Sequence, residues 1–176
     1  MQIGYGIILE GEIYNFMREM EFLLFEKFGL KKGMYQSPHI TIKPPFEVDS
    51  LEPYMKYLDE LSEKITPFEI ELDGFNAFGN KVIYLDVKKN DHLSLTYETI
   101  LSDLQKLGTP ILRDDMIFHA TLAYGDVGAS VLAKAYEYLQ KSFHPRFSCK
   151  TKKIGLFYQL PEDSGWIVIK EKDLKN

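Results

Sequence analysis

The apolar positions of this chain change period several times, and each change predicts an element. Ile3 to Leu9 form a first apolar strand. Ile13, Phe16, Met17, Met20, Leu23 and Leu24 then recur at helical spacing, with Gly29 as the stop. In "SPHITIKPPF", Ile40 and Ile42 alternate against His39, Thr41 and Lys43, which predicts a strand with the isoleucines inward. A second helix carries the stripe Leu51, Tyr54, Leu58, Leu61 and Ile65, with Asp49 or Ser50 as its N-cap. "FEIELDGF" alternates strictly and reads as strand three. "FGNKVIYLDV" supplies a turn and strand four.

The order then repeats. Asn90 or Asp91 caps a helix with stripe Leu93, Tyr97, Ile100, Leu104 and Leu107, ended by Gly108. "IFHATLAY" is strand five, residues 128–142 a fourth helix, "RFSCKTKKIGLFYQ" strand six and "GWIVIKEK" strand seven. His39 aligns with His119 and Thr41 with Thr121 at a shift of 80 residues, and Phe68 aligns with Phe147 at a shift of 79. The pattern predicts one bilobal domain built on an internal repeat, about 1–79 and 80–176, with strand seven added.

Each half thus presents a His-x-Thr pair from a central-looking strand. Chance places two such pairs in on the order of one in a hundred chains of this composition. The plainer reading is a histidine hydrogen-bonded within its sheet. The chemical reading is a phosphate site. Breaking a P–O bond in line needs a proton removed on one side of phosphorus and delivered on the other. Two imidazoles suit both tasks near neutral pH. Thr41 and Thr121 can donate to the non-bridging oxygens as charge develops. Lys43 extends the row in the first half, where the second has Ala123, so it is a candidate for setting substrate orientation.

"HITI" at 39–42 and "HATL" at 119–122 resemble the paired His-x-Thr-x motifs of the 2H phosphoesterase superfamily, which includes the LigT-like 2′-5′ RNA ligases and 2′,3′-cyclic phosphodiesterases. The "YQLPEDSGWIV" ending is similar to small bacterial phosphoesterases of the YjcG-like group. The resemblance implies an α+β, bilobal LigT-like fold of two pseudo-symmetric β-α-β-α-β lobes, sheets lining a central cleft and helices outside. It implies His39 as proton donor, His119 as proton acceptor, Thr41 and Thr121 as substrate-binding residues, and no metal or other cofactor. The implied substrate is a nucleotide or RNA cyclic phosphate. The reverse, ligase-type reaction and a phosphate-binding module without turnover stay open beside hydrolysis.

Composition narrows the setting. A net charge of −5 gives no support to a general nucleic-acid coat. Cys149 is the only cysteine, which suits a reduced, cytoplasmic setting. The N-terminus lacks a basic start, and no apolar run approaches the ~18 residues of a membrane helix. His92 and His144 read as solvated, and Lys150, Lys152 and Lys153 as a solvated strand face. Arg113 is a candidate to reach the cleft, and Tyr124 and Tyr158 are candidates for base stacking, with core packing the plainer use.

Overall fold

Alternating strands and amphipathic helices can bury their apolar faces only against one another. A computed structural model describes residues 1–109, 115–125, 127–161 and 165–175 and shows how they do so. In chain order the elements are β1 (Gln2–Ile8), α1 (Glu12–Phe28), a 3₁₀ turn (Lys32–Tyr35), β2 (His39–Glu47), α2 (Glu52–Lys64), β3 (Glu69–Phe78), β4 (Val82–Val87), α3 (Asp91–Lys106), β5 (His119–Tyr124), α4 (Ala129–Ser142), β6 (Arg146–Lys150), β7 (Lys153–Gln159) and β8 (Trp166–Asp173). They form two four-stranded antiparallel sheets, ordered β2-β1-β7-β8 and β5-β4-β3-β6.

The fold is the expected α+β arrangement of two similar sheets, but the sheets do not follow the halves of the chain. Matched in order, β1 corresponds to β4, β2 to β5, β7 to β3 and β8 to β6. Strand β3, from the first half, therefore sits in the sheet of the second. The alignment of Phe68 with Phe147 is corrected by this: β3 and β6 are neighbours in one sheet, with Leu72 opposite Phe147. The helices cross as well. Helix α1 follows β1 yet packs on β5 and α4, while α3 follows β4 and packs on β2.

The expected sixth strand is two strands. The chain leaves one sheet at Lys150 and enters the other at Lys153. Thr151, buried between them, accepts from the Phe68 N–H through Oγ1 at 2.9 Å, and its own N–H donates to Phe68 O at 2.8 Å. These bonds satisfy backbone groups that the change of sheet would otherwise orphan.

Helix ends follow local chemistry with one exception. Asn90 caps α3, accepting from Leu93 N at 2.9 Å, and Gly29 ends α1 at φ 72°. Neither Asp49 nor Ser50 caps α2. That helix starts after Leu51 without a side-chain cap, and Pro53 occupies its first turn, where a missing N–H costs nothing.

Candidate active site

Strands β2 and β5 are both edge strands, not the central strands that their apolar residues suggested. Their apolar positions are buried because the two edges contact each other across the molecule, with helices and the 3₁₀ turn packed alongside. The edge position also tolerates Pro44 and Pro45 within β2, since an edge strand has backbone groups outside the ladder. His39 and His119 each occupy the first residue of their strand.

The two imidazoles are held alike. His39 Nδ1 lies 2.8 Å from Ser37 O, and His119 Nδ1 lies 2.8 Å from Ile117 O. A carbonyl only accepts, so Nδ1 carries the hydrogen in both rings, leaving Nε2 to exchange a proton with a ligand. Thr41 Oγ1 stands 3.4 Å from His39 Nε2. The His39 ring packs on Phe157, with centroids 4.2 Å apart, and His119 packs against Phe78 and Tyr84.

Burial decides the electrostatics. It pushes His39 down to about 4, against the Ser37 hydrogen bond, and the nearby His119 charge lowers it further. Burial also lowers His119, against the Ile117 bond. The free protein therefore favours two neutral imidazoles at neutral pH, and an anion between them would favour protonation.

Two cavities meet at Thr41. One, open to solvent, is lined by His39, Thr41, Lys43 and Thr121 among others. The second is lined by Thr41 and His119 together with Pro44, Pro45, Phe78 and Asp115 to Ile117. The structure thus gathers both His-x-Thr pairs at one place. Lys43 joins them on the cleft wall. Its ammonium donates to Pro44 O at 3.2 Å and lies 4.8 Å from the centre of the Phe46 ring.

The remaining candidates fall elsewhere. His92 is exposed and stacks on Phe68, and His144 is exposed. Lys150 and Lys152 line a separate pocket by Glu10, and Lys153 pairs with Glu10 and Glu171 at 3.1 Å each. Tyr158 packs against the core, and the Tyr124 ring lies under the Lys32 ammonium. Arg113 lies outside the described residues. Among the described residues no group of three His, Cys, Asp or Glu side chains is placed to hold a metal ion.

Sequence reasoning missed Gly6, Gly33, Gln36, Phe157 and Trp166. A Cβ on Gly6 would stand 3.0 Å from His39 Cδ2, and one on Gly33 would stand 1.9 Å from Leu122 O. Gly6 thus makes room for the imidazole, and Gly33 lets the 3₁₀ turn lie on β5 beside Thr121. The signal for Gly6 was available in "GYG", glycine at alternate positions of an otherwise apolar strand.

The paired His-x-Thr motifs are thus brought together from two similar sheets at the cavities that meet at Thr41. The sequence model of the 2′-5′ RNA ligase superfamily matches residues 10–160, and the chain belongs to this superfamily, that of the 2H phosphoesterases. A protein of Geobacillus thermodenitrificans (strain NG80-2) named "Putative phosphoesterase" is 31% identical over 135 residues, 74% of this chain and 75% of that protein. A similarly named protein of Geobacillus kaustophilus (strain HTA426) is 31% identical over 136 residues, again 74% and 75% of the two chains. Among solved structures, TT0787 of Thermus thermophilus superposes with a TM-score of 0.71, and E. coli LigT complexed with 3′-AMP with 0.64. Each is 17% identical and covers 99% of this chain and 98% of its own. No helix among the described residues is long and apolar enough to cross a membrane.

Proposed function

We propose that this protein is a metal-independent phosphoesterase that opens a nucleotide or RNA 2′,3′-cyclic phosphate by paired-histidine acid–base catalysis. The observation that carries the reading is the convergence of both His-x-Thr pairs on the two cavities joined at Thr41, each imidazole anchored through Nδ1. The names of the relatives and the nucleotide bound to LigT support the substrate class. In the reaction, water loses a proton to one neutral Nε2 and attacks phosphorus. The bond to the 2′ or 3′ oxygen breaks, and that oxygen takes its proton from the other, protonated Nε2. Thr41 and Thr121 donate to the non-bridging oxygens, and Lys43 adds positive charge on one side.

The family pattern makes His39 the donor and His119 the acceptor. Burial opposes a proton on His39 in the free protein, so this assignment requires the bound phosphate to raise its pKa. A hydrolysis screen over 2′,3′-cyclic nucleotides by phosphorus NMR, with chelator present, tests the proposal. Turnover should persist with chelator and fall on the order of 10²–10⁴-fold in His39→Ala or His119→Ala. Product affinity without turnover in the parent protein would leave a binding module. Activity abolished by chelator and restored by a divalent ion would refute the metal-independent mechanism.

A further inference from the structure

The two cavities that meet at Thr41 are chemically unlike, although the strands that carry the histidines are equivalent. The cavity on the His39 side has the rings of Phe157 and Trp166 and the Gln36 and Lys43 side chains in its walls. The cavity on the His119 side has Pro44, Pro45, Met116 and Ile117, with the exposed carboxylate of Asp115. A symmetric phosphate site would not need this difference. A substrate with two different sides would.

The walls of the first cavity are built rather than incidental. Gln36 is only 8% exposed and lines the cavity. Its side-chain amide offers both a donor and an acceptor to a ligand in the cavity. The Gln36 backbone is fixed: its N–H donates to Gly33 O, and its carbonyl accepts from Arg18 at 3.1 Å. Trp166 opens β8 beside the same segment, because Gly165 packs on Tyr35, where a Cβ would stand 3.0 Å from Tyr35 Cβ. A flat ring and an amide with both donor and acceptor in the walls of one cleft match a planar, polar-edged ligand.

We infer that the cavity beside His39 is a nucleobase site: the base stacks on Trp166, and its polar edge meets the Gln36 amide. The inference rests on the phosphoesterase reading for the placement of the phosphate at Thr41 and Thr121. It sets the orientation of the substrate. The nucleoside lies on the His39 and Lys43 side, and the opposite cavity, bordered by Asp115, holds water or a neutral group in preference to a further phosphate.

Trp166 is the only tryptophan of the chain, so its fluorescence reports on this site alone. The parent protein is titrated with adenosine 3′-monophosphate, ribose 5-phosphate and inorganic phosphate. The nucleotide should change Trp166 emission and bind on the order of 10- to 100-fold more tightly than ribose phosphate. By calorimetry, Trp166→Ala should lose that advantage and keep its affinity for inorganic phosphate, whereas Trp166→Phe should retain most of it. Thermal melts check that both variants fold, and the Phe variant carries the test if the Ala variant does not. Equal affinity for nucleotide and ribose phosphate, or an equal loss for every ligand in the folded variants, would overturn the inference. Equal kcat/KM on a cyclic nucleotide and on glycerol 1,2-cyclic phosphate would overturn the base site and leave the phosphoesterase intact. Base-dependent binding with no hydrolysis of either compound would support the base site and overturn the phosphoesterase.

Discussion

Gly6→Ala tests whether the imidazole of His39 is held by the sheet beneath it. The backbone at Gly6 does not have a positive φ, so alanine is not excluded by conformation. In the unfolded chain the substitution removes freedom and by itself would stabilise by about 0.4–1 kcal/mol. Against this, the new methyl would stand 3.0 Å from His39 Cδ2, 3.0 Å from Ile40 O and 3.1 Å from Phe157 Cε2. Carbon atoms rest about 3.5–4.0 Å apart, so each ring must retreat by roughly half an ångström or more. Ile40 O belongs to the β1–β2 ladder, and the His39 ring is tied to Ser37 O. Overpacking of this kind costs about 1–3 kcal/mol, which exceeds the entropic gain. A net loss of about 1–2 kcal/mol in denaturant unfolding is expected. The displaced Nε2 should lower kcat/KM by roughly 10- to 100-fold well below the melting temperature. Gly155→Ala is the control, because its methyl first meets Ile8 Cδ1, the far end of a flexible side chain. Its effect on stability should exceed its effect on rate. Parent stability together with parent kcat/KM in Gly6→Ala would refute the argument.

With both imidazoles held below their ordinary range by burial, kcat/KM, which reports the free enzyme, should have its optimum on the acid side of pH 6.5. The kcat profile should lie at higher pH because bound phosphate favours the imidazolium, and coincident profiles would count against this account. His39 and Glu21 pull acid stability in opposite directions. The folded-state value of His39, about 4, lies below its unfolded value of about 6.5, so its contribution is present above pH 6.5 and is lost as pH falls toward 4. The full loss is about 3 kcal/mol. Burial pushes Glu21 up to about 8 despite the Arg18 guanidinium at 2.6 Å, so its contribution is present at low pH and is lost as pH rises from about 4.5 to 8. Urea unfolding across pH should therefore show a steeper rise in stability from pH 4 to 6.5 in Glu21→Gln than in the parent, and a shallower one in His39→Gln. Thr151→Val should destabilise by about 1–3 kcal/mol, since the Phe68 N–H loses its buried hydroxyl acceptor, with little change in kcat/KM. An unchanged unfolding midpoint would show that this bond does not secure the crossing between sheets.

Local order and the motif residues were legible in the sequence because they depend on neighbours in the chain. Alternation marked the faces of β2, β3 and β5, the helical stripe and Gly29 delimited α1, and Asn90 announced its own cap. The shift of 80 residues singled out His39, Thr41, His119 and Thr121 before any contact was known. Which strands pair was not legible. Alternation states which face of a strand is buried, and any partner with a complementary face satisfies it. So β3 and β6 looked like equivalents when they are neighbours, and β2 and β5 looked central when they are edges covered by one another. The cavity beside His39 depends on this pairing even more. Gln36 comes from the segment before β2, Phe157 from β7 and Trp166 from the start of β8, and no local pattern links them. Their meeting follows from β7 entering the sheet beside β1, a step fixed by the buried Thr151 and by the apolar surface that both sheets cover together. The depressed pKa of His39 has the same origin, because desolvation is set by atoms distant in sequence and close in space.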